Sequence, residues 1–217
     1  MTDPNLIAAE WYLGGFDSER LPEVALQAIE RGCEGKNLAK LATLVKPSKR
    51  DVEGLVDGAL RELGVTAPVS KDEAALWILG SVKANAGSGK ITALNLVGKL
   101  LTAFPELERQ YVEEVKSYYG LPGNYWVFAV ILKPVLTEQI AREDAADFVR
   151  RIAQFVEQVC ISGDNAAVNV LWIEIFEWLV HSQAGELKFL WPILGPSTKA
   201  VIKEVALRRR ETENLPS

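Results

Sequence analysis

Histidine and methionine each occur once in the 217 residues, and cysteine occurs twice. A single histidine, His181, excludes any metal cage that draws imidazoles from two helices. Cys33 and Cys160 lie far apart, with no paired spacing, so neither a zinc ribbon nor a disulfide framework is expected. Long apolar runs are also missing. The longest, Tyr125 to Leu132, falls far short of the roughly 18 residues of a membrane span. The N-terminal MTDPNLIAAEW has no basic stretch leading into an apolar one, so no secretory leader and a cytoplasmic location are expected. No stretch alternates with period two between turn signals, and no segment repeats at 20 to 50 residues. Net charge is −5, which argues against a nucleic-acid partner.

Apolar residues at helical spacing fill this frame. Asp3-Pro4 opens a helix that Gly14-Gly15 closes, and a second spans about Leu21 to Arg31. A third carries Leu38, Leu41 and Leu44 and stops at Pro47. Ser48 with Asp51 makes a capping box for a helix with Val52, Leu55, Val56, Leu60 and Leu63 on one stripe. Ser70 with Glu73 opens another, through Trp77. Further helices are expected at about 91–104, 105–119, 124–140, 143–161, 164–183, 186–191 and 197–210, with Pro134 kinking or splitting one of them. The reading is all-α: an irregular bundle of about ten to twelve helices, with a solenoid-like stack as the alternative. Its two halves, residues 1–105 and 106–217, would meet where the composition turns acidic and aromatic at Glu106.

The helix from Asn165 to Val180, NAAVNVLWIEIFEWLV, is apolar almost all round, which places it at the centre of the bundle and buries most of its circumference. Were it surface-exposed instead, its apolar face would be a binding site. Its polar residues are candidates for function. Glu174, Glu177 and His181 share one face, where Glu177 and His181 stabilise each other at i, i+4. They could also serve a metal or a carboxylate enzyme, but Glu-x-x-His is absent. The expected roles are structural: Asn169 and Glu177 bridge neighbouring helices, while Glu174 and His181 face water. Glu157 with Glu177 would do acid–base work only if burial raised one carboxyl's pKa.

Other motifs carry less. Ala84 to Ile91, ANAGSGKI, lacks the first glycine, the hydroxyl and the preceding strand of a phosphate loop, so it reads as a turn between helices. Gly195-Pro-Ser-Thr-Lys opens the last helix with Ser197 as N-cap, and the Glu211–Ser217 tail is expected to fray. No G-x-S-x-G elbow occurs. Tyr118, Tyr119, Tyr125 and Trp126 flank the Leu121–Asn124 turn, as core or as interaction hot spots.

Two stretches look familiar. The first half resembles uncharacterised bacterial proteins through Gly15–Ser18, Leu41–Leu44 and Glu62–Gly64, with extra residues between Leu21 and Lys36. The second half resembles an uncharacterised helical domain through Glu157, Gly163–Asp164, Asn169, Glu177 and Leu179. Neither resemblance implies catalytic residues, metal or cofactor. By analogy, small acidic helical proteins of this kind resemble immunity proteins and antitoxins. The leading expectation is therefore a non-enzymatic module that binds a protein with a basic surface. A small-molecule sensor or enzyme built on the Glu174, Glu177, His181 stripe is the alternative, and a self-assembling scaffold is the third reading.

Overall fold

A computed structural model describes residues 3–68, 70–118, 121–142, 146–182 and 184–216. Among these residues every regular element is helical. The chain divides into two compact units. Unit 1 comprises Met1–Ser81 and Val112–Pro122, and unit 2 comprises Val82–Tyr111 and Gly123–Ser217. Pro105, the expected boundary, lies inside unit 2 because its neighbour Phe104 is fully buried there, edge-on to Phe148 at 5.4 Å and to Phe155 at 5.8 Å.

Unit 1 begins with α1 (Pro4–Leu13), α2 (Leu21–Glu30), α3 (Lys36–Ala42) and α4 (Lys49–Glu62). Local chemistry sets their ends. Asp3 accepts from Asn5 N, and Gly14 closes α1 in the left-handed conformation (φ 85°). Ser48 and Asp51 form the expected capping box. Ile7, Leu21, Leu38, Val52, Val56 and Leu60 make the core, with Trp11 and Trp77 against it. The helices α5 (Lys71–Ala84) and α7 (Glu108–Tyr118) contribute residues to both units.

The helix α6 (Leu96–Ala103) of unit 2 starts later than its periodicity predicts. Thr92 N donates to Asn95 Oδ1 at 2.7 Å, which closes a turn where helix was expected. Then come α8 (124–140), α9 (Ala146–Ile161), α10 (165–182), α11 (Ala184–Leu190) and α12 (Pro196–Arg209).

Two of these helices widen midway. In α8 the segment Val127–Leu132 is π-helical, with Lys133 N donating to Phe128 O five residues back. In α10 the segment is Trp172–Phe176, and Glu177 N donates to Trp172 O. The two π segments pack on each other. The helix α8 continues through Pro134 instead of splitting there. An interior proline clashes with the carbonyl four residues back, and the extra residue in the preceding turn relieves that clash.

Candidate functional site

The helix α10 touches α8, α9 and α12, so it is central to unit 2 as expected. Most of its circumference is covered, as expected, but not all of it. Val170, Leu171, Ile175, Phe176, Leu179 and Val180 are buried, whereas Asn169 is exposed and Ile173 is 42% exposed. The outward edge of the side facing α8 carries Asn169 and Ile173, which neighbouring helices leave exposed to solvent.

The polar residues of this helix find partners that sequence spacing does not reveal. Asn169 Nδ2 donates to Tyr125 Oη of α8 at 2.7 Å, the bridging role expected for it. Glu174 does not face water. Its side chain is only 17% exposed and lies 3.6 Å from Lys133 Nζ of α8. Glu177 accepts from Trp172 Nε1 at 3.1 Å and pairs with Arg209 at the end of α12, so it too bridges helices. His181 is open to solvent, and its Nδ1–H donates to Glu211 Oε1 at 2.8 Å. The expected Glu177–His181 couple is therefore replaced by two separate pairs with the end of the chain.

That end is ordered by a backbone reversal. Arg210 caps α12 in the left-handed region (φ 62°), and Glu211 N donates to Ala206 O at 2.9 Å. The reversal turns Glu211 towards His181. Asn214 Nδ2 then reaches Val180 O at 3.0 Å, so residues expected to fray are tied to α10.

These pairs surround a cavity of about 450 Å³ walled by Lys133, Ile173, Glu177, Trp178, His181, Arg209 and Glu211. Two cations, two carboxylates and an imidazole line it, with an indole and an isoleucine as apolar surface. Such a lining suits a ligand carrying both charges. Among the described residues, no group of three or more His, Cys, Asp and Glu side chains is arranged to hold a metal.

Glu157 takes no part in this cavity. Its carboxylate accepts from Ser197 N at 3.0 Å and from Thr198 N and Thr198 Oγ1 at 2.8 and 2.7 Å. The N-cap residue of α12 is Gly195 rather than Ser197, and the glutamate of α9 accepts from the second and third helical amides, those of Ser197 and Thr198, which the side-chain-free glycine cannot serve. Burial pushes the Glu157 carboxyl up, but the hydrogen bonds from Thr198 and Ser197 outweigh it and hold the pKa below the usual 4.5. A general acid needs the opposite shift. Cys160, a free thiol one turn of α9 away, is pushed up to about 11, chiefly by burial, which leaves it unreactive.

Three of the four aromatic candidates lie on the surface rather than in the core. Tyr118 is exposed on unit 1, Tyr125 and Trp126 are exposed on unit 2, and Tyr119 lies outside the described residues. Sequence reasoning missed Lys133, Arg209 and Glu211. The available signal was charge balance: carboxylates on so apolar a helix need cations, and the Arg208–Arg210 run was the nearest supply.

The family described as "Domain of unknown function (DUF7674)" matches residues 97–210. The chain belongs to this family. The DUF7674 region holds both π segments, the Glu157 cap and every wall of the cavity except Glu211. It falls on the half for which an uncharacterised helical domain was expected. No curated protein and no solved structure matches the chain. Among the described residues, no helix is long and apolar enough to cross a membrane.

Proposed function

We propose that this chain is a non-enzymatic, cytoplasmic protein-binding module whose docking face is the uncovered side of α8 and α10. The observation that carries this reading is a row of large apolar side chains left outside the core of unit 2. Tyr125, Trp126 and Val130 are exposed on α8, and Ile173 is exposed on α10. The Tyr125–Asn169 bond and the Lys133–Glu174 pair pin the two helices side by side at either end of the row. Val130 and Ile173 therefore share one face. An apolar centre with aromatic residues and a charged rim is the composition of an interaction hot spot.

The net charge of −5 favours a partner with a basic surface, such as a toxin that this protein neutralises, over nucleic acid or a lipid surface. The test is affinity capture from the source organism with wild type and with Ile173→Asp and Val130→Asp. A partner held by wild type should be lost at least about tenfold from both variants. If both variants retain the same proteins as wild type, this face is not the docking site.

The 450 Å³ cavity supports a second reading, in which Glu177, Arg209, His181 and Glu211 sense a small zwitterion. A thermal-shift survey of amino acids would show it as stabilisation of wild type that Arg209→Gln abolishes. No shift with any of them counts against it.

A further inference from the structure

A larger cavity, of about 560 Å³, lies elsewhere in unit 2, between α6, the end of α9 and the Gly87–Lys90 turn. The turn is fastened at two points. A Cβ on Gly98 of α6 would collide with the Val82 carbonyl and press on Ala86 at 3.2 Å, so only glycine lets α6 come this close. Beside it, Lys99 Nζ donates to Gly87 O at 2.7 Å. A carbonyl, not a ring of amides, therefore faces this lysine, which distinguishes the turn from a phosphate loop.

The cavity has an apolar surface from Ile91, Ala103, Phe155 and Ile161, and two cations, Lys90 and Lys99. Among the described residues no carboxylate lines it, although the chain as a whole carries a net charge of −5. Among the described residues neither lysine is ion-paired, whereas Arg151, which also reaches this region through Ala103 O, is held by Glu106 and Asp147. An ammonium has three donors, and Lys99 uses one on Gly87. Volume, apolar surface and unmatched positive charge describe one class of occupant.

We propose that this cavity binds a small organic anion, with its apolar body on Phe155, Ile91 and Ile161 and its carboxylate or phosphate head at Lys90 and Lys99. The volume lies within the range of small-molecule sites, about 300–1,000 Å³. The site is separate from both the docking face and the zwitterion cavity, so it stands or falls independently of them.

Calorimetric titration with octanoate and octyl phosphate tests it, with 1-octanol and octylamine of equal chain length as controls. At least one anion should bind saturably, and the alcohol and the amine at least about tenfold more weakly. Lys90→Glu should weaken the anion about tenfold, and Ala103→Trp should abolish binding by filling the cavity. Lys90 is solvent-exposed and makes no hydrogen bond through its side chain among the described residues, so its variant keeps the fold and decides the matter even if the tryptophan disturbs α6. Whichever anion binds more tightly names the head group. Equal binding of the alcohol, unchanged affinity in Lys90→Glu, or no saturation below about 10 mM overturns the proposal.

Discussion

In unit 1 the Glu62 carboxylate of α4 accepts from Asn37 N at 3.0 Å, Leu38 N at 2.9 Å and Asn37 Nδ2 at 2.7 Å, closing the start of α3. In unit 2 the Glu157 carboxylate of α9 does the same for α12. Each sits where a glycine leaves room, since a Cβ on Gly35 or on Gly195 would overlap the glutamate. The two units thus share a device: a helix start whose amides are satisfied by a distant carboxylate, which also fits the positive end of the helix dipole. They differ in what surrounds it. Among the described residues, unit 1 is made of regular and 3₁₀ turns, whereas both π segments lie in unit 2, beside a charged cavity and an uncovered apolar row. Stability devices recur across the molecule, while among the described residues π-helical turns are confined to the region that defines the family.

Core substitutions give the largest expected effects. Phe104→Ala in unit 2 should cost about 3–5 kcal/mol and Leu38→Ala in unit 1 about 2–5 kcal/mol, read from urea midpoints. A Phe104→Ala cost under 1 kcal/mol would mean that this aromatic cluster is not the anchor of unit 2. Next come the two glycines. Gly35→Ala and Gly195→Ala should each destabilise by about 1–2 kcal/mol by displacing the capping glutamate. Clearly unequal losses would show that the shared device is unequally important.

The pH dependence sharpens the same comparison. Backbone donation from Asn37 holds Glu62 below the usual 4.5, and hydrogen bonds hold Glu157 below it despite burial. A carboxyl depressed in the folded state binds its proton more readily when unfolded. Its contribution is therefore present above 4.5 and is lost as pH falls from there through the folded value. Unfolding midpoints between pH 7 and 3 should fall less steeply in Glu62→Gln and Glu157→Gln than in wild type, and parallel curves would remove both residues from the linkage. A smaller gain is expected from Arg210→Gly, about 0.5–1 kcal/mol of added stability, because glycine takes the left-handed cap without strain. The smallest effect should be that of Ile173→Asp, within about 0.5 kcal/mol of wild type, since that face supports binding and not folding.

Local chemistry made much of the fold legible. The Ser48–Asp51 box, the Asp3-Pro4 start and the Gly14 stop each act within a few residues, so they can be read from adjacent letters. The site was legible only in part. Asn169, Glu174, Glu177 and His181 stand out because they are polar on an apolar helix. Their partners stay hidden because contact does not follow sequence distance: Arg209 is 32 residues from Glu177, and Glu211 is 30 from His181. The capping role of Glu157 stayed hidden for the same reason, its amide partners lying 40 and 41 residues on. The solvent-facing position of Ile173 escaped because apolar content shows that a helix has neighbours, not how many sides they cover.

The paired π segments also bear on how this chain tolerates changes of length. Each holds one residue more than an α-helix needs to connect its two ends. Deleting a single residue within Val127–Leu132 or Trp172–Phe176 should let the backbone settle into a regular helix and keep both flanks in register, whereas the same deletion in α4 or α9 would rotate every downstream side chain by about 100°. Homologues one residue shorter are therefore expected to carry their gaps at these two places.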